Sequence, residues 1–404
     1  MGLATDDGYL VATYEIDGHH DPFKKAKGIA IGLTVGTWTE LPQEKQAELA
    51  PHLGKVVDIT TVSATADQPA KAHIKIGYPV RNLTPDLPAI LTTVFGKLSL
   101  DDNIRLLDLE LPPQWEQHFP GPKLGIAGMR ERLGVFDRPL LMSIFKQCIG
   151  LPLVDLEKGY RQQLAGGVDL IKDDEIFFQD EKAPVLERVR RFKALNLQRE
   201  EETGQKAWYA VNVTGPSTTI LDQARRVVEA GADVLLLNVY PYGLDILHRL
   251  AADDDIPVPV MAHPAFAGAI QGVDSPLLLG KLLRWAGADL VLYPSPYGSV
   301  ALPRADALAI AAHLRSKSVH RPAFPGPAAG IHPGMVPVLL DDFGHDLLVN
   351  AGGGIHGHPQ GAAAGGKAFR DAIEATVAGQ SLDEAAQESA ELQQALDQWG
   401  VVQA

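Results

Sequence analysis

Four consecutive charged residues, Lys172-Asp173-Asp174-Glu175, close the segment GVDLIKDDE, directly behind the apolar pair Leu170-Ile171. Strand alternation puts Lys172 and Asp174 on one face, with Glu175 turning out at the strand end. Two carboxylates offer the hard oxygen ligands that Mg2+ takes in octahedral coordination while leaving positions open for substrate. An ammonium is no ligand. A lysine joins such a set only when neutral and carbamylated by CO2, which adds a third anionic oxygen. Loss of the Lys172 proton is opposed by the acids beside it. Read alone, the same run is a solvated strand end tied by salt bridges. Lys146, in Ser143-Ile-Phe-Lys146, and His263, in Met261-Ala-His-Pro264, also follow apolar runs. A lone lysine there is equally a surface group, and a lone histidine is more often a hydrogen-bonded core residue. Two glycine-rich segments, Ala328–Gly334 and Asn350–Gly361, hold Gly330, Gly352 and Gly353. Glycines let backbone N–H groups approach a phosphate, and a following helix adds its positive end. His356 and His358 lack a third ligand and read as structural. Thr34–Thr39 and Val94–Ser99, the latter with Lys97 beside Gly96, are weak signals by themselves.

These residues need a frame. Beyond about residue 130, short apolar runs alternate with helical patterns. The expected strands are Leu140–Phe145, Val168–Ile171, Trp208–Val213, Val234–Val239, Val258–Ala262, Leu290–Tyr293, a proline-rich stretch near Pro322–Ala329, and Leu347–Asn350. Eight strands with intervening helices, such as 182–199, 220–230 and 276–286, match a (β/α)8 barrel in count and size. A barrel carries its active site at the C-terminal strand ends, where Lys146, the 172–175 run, His263 and both glycine segments fall. The first 125 residues differ. Strands are expected at Leu10–Ile16, Val56–Ala64 and Ala72–Pro79. Phe23–Leu33 reads as a helix or a turn into a strand. Leu87, Ile90, Leu91 and Val94 have the spacing of one helix face. This βαββαβ-like order predicts an open antiparallel sheet backed by helices. Pro112–Pro122, with four prolines, reads as a linker.

Composition narrows the function. The chain has 404 residues, 36 basic and 50 acidic, for a formal charge of −14. That excess of acid argues against a nucleic-acid or anionic-membrane surface. Hydrophobic content of 46% and charged content of 21% suit an ordinary globular protein, and 39 glycines with 29 prolines imply many tight turns. One cysteine, Cys148, excludes an intrachain disulfide and a cysteine-built metal site. The opening MGLATDDGYL lacks the basic and apolar regions of a secretory leader, and no apolar run nears the ~18–20 residues of a membrane span. A soluble, cytoplasmic protein is expected.

The motifs together resemble the rubisco superfamily. GTWT (36–39), FDRPL (136–140), GVDLIKDDE, AGIH (329–332) and GGGIHGHP (352–359) fall in that family's order over nearly the whole chain. The resemblance implies an α/β chain: a ferredoxin-like N-terminal α+β domain, 1–125, followed by a (β/α)8 TIM barrel, 126–404. It also implies a head-to-tail homodimer whose sites are each completed by the partner's N-terminal domain. The departures are informative. Lys146-Gln147-Cys148 keeps only the first lysine of the carboxylases' Lys-Pro-Lys, and Ser295–Arg315 holds no counterpart of their mobile lysine. Gly32 replaces a glutamate, Thr93 an asparagine, and Ala328-Ala329-Gly330 stands where Ser-Gly-Gly is frequent.

The chain is therefore similar to the rubisco-like proteins. Phe95–Ser99, Ser143–Lys146, Met261–Pro264 and Gly352–Pro359 place it beside the branch that enolises a phosphorylated 2,3-diketone in methionine salvage. By that resemblance Lys97 is the catalytic general base. Lys172, as a CO2-derived carbamate, would ligate Mg2+ with Asp174 and Glu175. Lys146, Lys172, Asp173, Asp174, Glu175, His263, Gly330, Gly352 and Gly353 would contact substrate. Two alternatives stay open: another rubisco-like activity, such as isomerisation of 5-methylthioribulose 1-phosphate, and a non-catalytic sugar-phosphate sensor.

Overall fold

The computed structural model describes residues 8–17, 21–36, 41–62, 70–178 and 181–402. Thr37, Trp38 and Thr39 of the GTWT motif lie outside the described residues, as do Ser63 and Ala64 at the end of the strand expected over 56–64. The chain forms two compact units, Met1–Phe119 with Ala267–Leu278, and Pro120–Phe266 with Leu279–Ala404. Among the described residues no helix is long and apolar enough to cross a membrane.

The smaller unit is a four-stranded antiparallel sheet of β1 (Tyr9–Asp17), β2 (Lys55–Val62), β3 (Lys71–Pro79) and β4 (Ile104–Glu110) in the order β2-β3-β1-β4. Alternate residues of β1, Leu10, Ala12, Tyr14 and Ile16, are buried, the period of a sheet with one covered face. A helix over Pro22–Gly32 starts where the Asp21 carboxylate accepts the N–H groups of Phe23 and Lys24. The ambiguous stretch 23–33 is therefore helical. A further helix begins at Leu87 under an Asp86 cap and passes after Leu91 into a wider π-turn, Thr92–Gly96. Strand β4 did not stand out in the sequence. Its outer edge is covered by the 267–278 excursion, through Leu106 N–H to Gly272 O, Asp274 N–H to Leu106 O, and an Arg105–Asp274 ion pair. The stretch 112–122 is more ordered than a plain linker: Pro113–Glu116 forms a helical turn and Phe119 is buried.

The larger unit is a ring of eight parallel strands, β5 (Leu140–Ile144), β6 (Leu170–Lys172), β7 (Trp208–Asn212), β8 (Val234–Asn238), β9 (Val260–His263), β10 (Leu290–Pro294), β11 (Phe324–Ala328) and β12 (Leu348–Ala351). The fold is a ferredoxin-like domain followed by a TIM barrel. The seam lies between β11 and β12. Phe324 N–H and Ala328 O bond toward β10, so Pro325 and Pro327, of opposite parity, face β12 with no N–H to give. The two strands touch there without a hydrogen-bonded ladder. The helix Gly125–Leu133 closes the bottom of the barrel, its Ile126, Met129 and Leu133 packing against Leu140, Leu170, Trp208 and Phe324 at the strand starts. Chemistry is left to the opposite, C-terminal rim.

Candidate active site at the barrel mouth

Strand parity decides which side chains enter the barrel. Leu170 lies in the core cluster, so Lys172 also faces inward, and Asp173 faces outward. The Lys172 side chain is 1% exposed. Its Nζ donates to the Asp173 carbonyl at 2.9 Å and lies 3.8 Å from Glu175 Oε2. Burial lowers the Lys172 pKa to about 8, although Glu175 and Asp174 pull it upward. Desolvation thus outweighs the neighbouring acids. Asp174 Oδ2 accepts from Lys146 Nζ at 2.5 Å. Burial pushes this carboxyl up, but the Lys146 contact and the Ile176 N–H hold it below its ordinary value.

Asp173 belongs to a different network. Its carboxylate is fully buried and accepts Arg188 Nη2 (2.9 Å), Tyr209 Oη (2.5 Å) and the Asn212 N–H (2.9 Å). Arg188 sits on the helix Val185–Thr203 and stacks over Phe177. Outward-facing Asp173 therefore ties the mouth to that helix, while its neighbours on either side face inward. Asp173→Ala is expected to destabilise the protein by about 3–5 kcal/mol, because Arg188 is left buried without its charge partner. Urea unfolding checks this.

Two asparagines that sequence reading passed over hold the same turn. Asn212 Nδ2 donates to the Glu175 carbonyl at 3.1 Å, and Asn238 Nδ2 donates to it at 2.8 Å. Both end apolar strands, WYAVN and VLLLN. A polar residue closing a buried run was the available signal. His263, at the end of β9, accepts the Ala265 N–H on Nδ1, so its Nε2 carries the proton and points at Glu175 Oε2, 3.6 Å away. Burial, helped by Lys172, drives the His263 pKa down to about 3, so the ring is neutral at physiological pH.

The glycine segments form the other side of the mouth. A Cβ on Gly352 would lie 3.0 Å from Lys146 Cε, so the lysine stem crosses that turn closely. The backbone N–H groups of Gly330, Gly352 and Gly353 make no hydrogen bond among the described residues. Ala329 and Gly330 both have positive φ, +73° and +78°. Gly330→Ala would place a Cβ 2.9 Å from Ser299 N in a left-handed residue. It is expected to cost about 1–2 kcal/mol and to raise KM for a phosphorylated substrate, as read by urea unfolding and steady-state kinetics. Among the described residues, the three non-glycine residues of positive φ, Gln147, Phe266 and Ala329, all lie in loops after barrel strands. Backbone strain of this kind gathers at functional sites. His356 Nε2 meets the Ile144 carbonyl and His358 Nε2 the Glu391 carbonyl, both structural contacts.

Lys97 lies in the smaller unit, on the residue after the π-turn. It is exposed, and its ammonium has no partner among the described residues. With Lys24, Lys25, Gly28, Gly32 and Leu33 it lines a groove of about 590 Å³.

The residues fit a hard divalent cation conditionally. Among the described residues no three His, Cys, Asp or Glu side chains are grouped to hold a metal. Asp174 and Glu175 supply two carboxylates, and Lys172 lies buried beside them with its pKa lowered to about 8.

A ferredoxin-like domain joined to a barrel with this mouth is the architecture of the ribulose bisphosphate carboxylase large chain. Its catalytic-domain model matches residues 125–292 and 316–399, its N-terminal-domain model matches residues 2–115, and the chain belongs to that family. Within the family it is 54% identical to the 2,3-diketo-5-methylthiopentyl-1-phosphate enolase of Geobacillus thermodenitrificans over 98% of both chains. It is 53% identical to the Geobacillus kaustophilus enolase of the same name, again over 98% of both. Among solved structures, the rubisco-like protein (MtnW) of Alicyclobacillus acidocaldarius superposes with a TM-score of 0.91 at 48% identity, covering 97% of this chain and 100% of that one. The rubisco of Pyrococcus horikoshii gives 0.88 at 31% identity, covering 100% and 96%.

Proposed function

We propose that this chain is the enolase of methionine salvage, an isomerase that converts 2,3-diketo-5-methylthiopentyl 1-phosphate to its 2-hydroxy-3-keto-pentenyl phosphate form. It is a rubisco-like protein and not a carboxylase. The observation that carries the reading is the mouth itself. The acid–lysine cluster is intact, with Lys172 buried at the end of β6, while Ser295–Arg315 holds no lysine for carboxylation chemistry. Full-length identity of about half to enolases of that name supports the choice of substrate.

In this proposal the ferredoxin-like domain, 1–125, supplies the base and the barrel domain, 126–404, supplies everything else. Lys146 and the free N–H groups of Gly330, Gly352 and Gly353 hold the phosphorylated substrate. Asp173 braces the segment from behind. Neutral His263 faces the substrate oxygens as a hydrogen-bond donor. Carbamylated Lys172, Asp174 and Glu175 would hold Mg2+, which supplies Lewis-acid stabilisation of the enolate oxygen. Lys97 Nζ, as the free amine, takes the C1 proton; the electron pair of the broken C–H bond forms the C1=C2 double bond, and the π pair of the C2 carbonyl moves onto its oxygen. Lys97 reaches that position in a head-to-tail homodimer, presented by the small unit of one protomer to the barrel of its partner. Its exposed, unpartnered ammonium supports that arrangement. A single unpaired thiol, Cys148, accords with the reducing cytoplasm.

One preparation assayed with the diketone phosphate and with 5-methylthioribulose 1-phosphate tests the reading. Enolisation of the first alone is expected. Turnover of the second only would favour the isomerase, and tight binding without turnover would favour a sensor.

A further inference from the structure

We propose that Tyr14 is a positioning residue for Lys97, acting through the Val94 carbonyl of the π-turn. The inference rests on Lys97 being the base. The Lys97 ammonium has no partner among the described residues, so its location is decided by the backbone that carries it. That backbone leaves the wide turn Thr92–Gly96, a form found mostly as single turns at functional places. Among the described residues the turn is fastened to the sheet by a buried polar tie: Tyr14 Oη donates to Val94 O at 2.6 Å.

A phenol has one hydrogen to give. Tyr14 gives its hydrogen to Val94, so Tyr78 Oη, 2.7 Å away, gives its own to Tyr14. Both rings are at most 1% exposed. Burial pushes both phenols up, so the relay stays protonated throughout the working pH range. Phe95, next in the turn, is buried, and a Cβ on Gly272 would lie 2.9 Å from its ring. Apolar packing holds the turn in place, and the Tyr14 bond fixes its rotation, hence the direction in which Lys97 leaves it.

The two hydroxyls are not equivalent, which makes the role testable in the full-length protein. Tyr14→Phe removes the bond to Val94, whereas Tyr78→Phe leaves it. The double variant removes both hydroxyls and restores an apolar ring pair. For Tyr14→Phe, kcat for C1 exchange is expected to fall roughly 10²-fold, the loss given by a misplaced catalytic group, with KM unchanged. Tyr78→Phe should lose far less. In the double variant thermal stability should recover while kcat stays low, a split that a merely structural role does not produce. Recovery of kcat together with stability would overturn the proposal, as would equal losses in the two single variants. Lys97→Ala serves as the control. Exchange lost in Lys97→Ala but kept in Tyr14→Phe overturns the positioning role alone. Exchange surviving in Lys97→Ala overturns the base assignment and this inference with it.

Discussion

Lys97→Ala is expected to slow C1 proton exchange by roughly 10²–10⁴-fold, the contribution of a positioned general base. Folding should not change. The side chain is exposed and unpartnered, and such surface substitutions usually stay within about 0.5 kcal/mol. Binding of Mg2+ and of substrate phosphate should also persist, because the groups proposed to hold them belong to the barrel. The expected signature is a fall in kcat with little change in KM, the mark of an interaction made only in the transition state. Exchange measured alongside urea unfolding separates this outcome from general damage. Undiminished exchange would remove Lys97 from the mechanism.

The second large effect concerns Lys172. Carbamylation consumes the neutral amine, so the sign of the pH dependence is fixed. Below its pKa Lys172 is a cation and inert to CO2; above it the amine is available. With the pKa lowered to about 8, the neutral fraction rises from about a tenth at pH 7 to about half at pH 8. Activation by bicarbonate and Mg2+ should therefore quicken with pH through a midpoint near 8. An unburied lysine would place that midpoint above 10. Lys172→Met keeps an apolar stem of similar length and removes the amine. Mg2+ binding, followed by calorimetry, should vanish, and activity should fall more than about 10³-fold, several kcal/mol of transition-state stabilisation. Full activity in protein never exposed to CO2 would contradict the carbamate.

Much of the barrel was legible because strands buried on both faces read as short apolar runs. Even β11 could be seen, since its prolines face a seam that forms no ladder. Strand β4 escaped because its alternation breaks. Tyr14 pairs with Leu106 and Thr13 with Asp108, so Leu107 is extra and the inward phase slips by one. The 267–278 excursion escaped because nothing in its composition marks the departure from the barrel. Within the site, three successive acids look alike in sequence. Parity separates them: Asp173 turns to Arg188, and Asp174 and Glu175 turn to the mouth. Asn212 and Asn238 were visible as polar strand ends but carry no motif, and their work on the Glu175 carbonyl emerges only when three strands are brought side by side. The π-turn beneath Lys97 has no sequence period of its own.

The most direct measurement follows the hydrogen itself. The CO2- and Mg2+-activated protein is mixed with the diketone phosphate in D2O and the C1 resonance is followed by proton NMR. As the enol form appears, the two-hydrogen C1 methylene signal should give way to that of a single vinylic C1 hydrogen, with deuterium entering C1 of the remaining diketone on reversal, and neither change should occur with Lys97→Ala. A C1 methylene that keeps both of its hydrogens in the presence of folded, substrate-saturated protein would show that no proton is removed there, and the enolase reading would be abandoned.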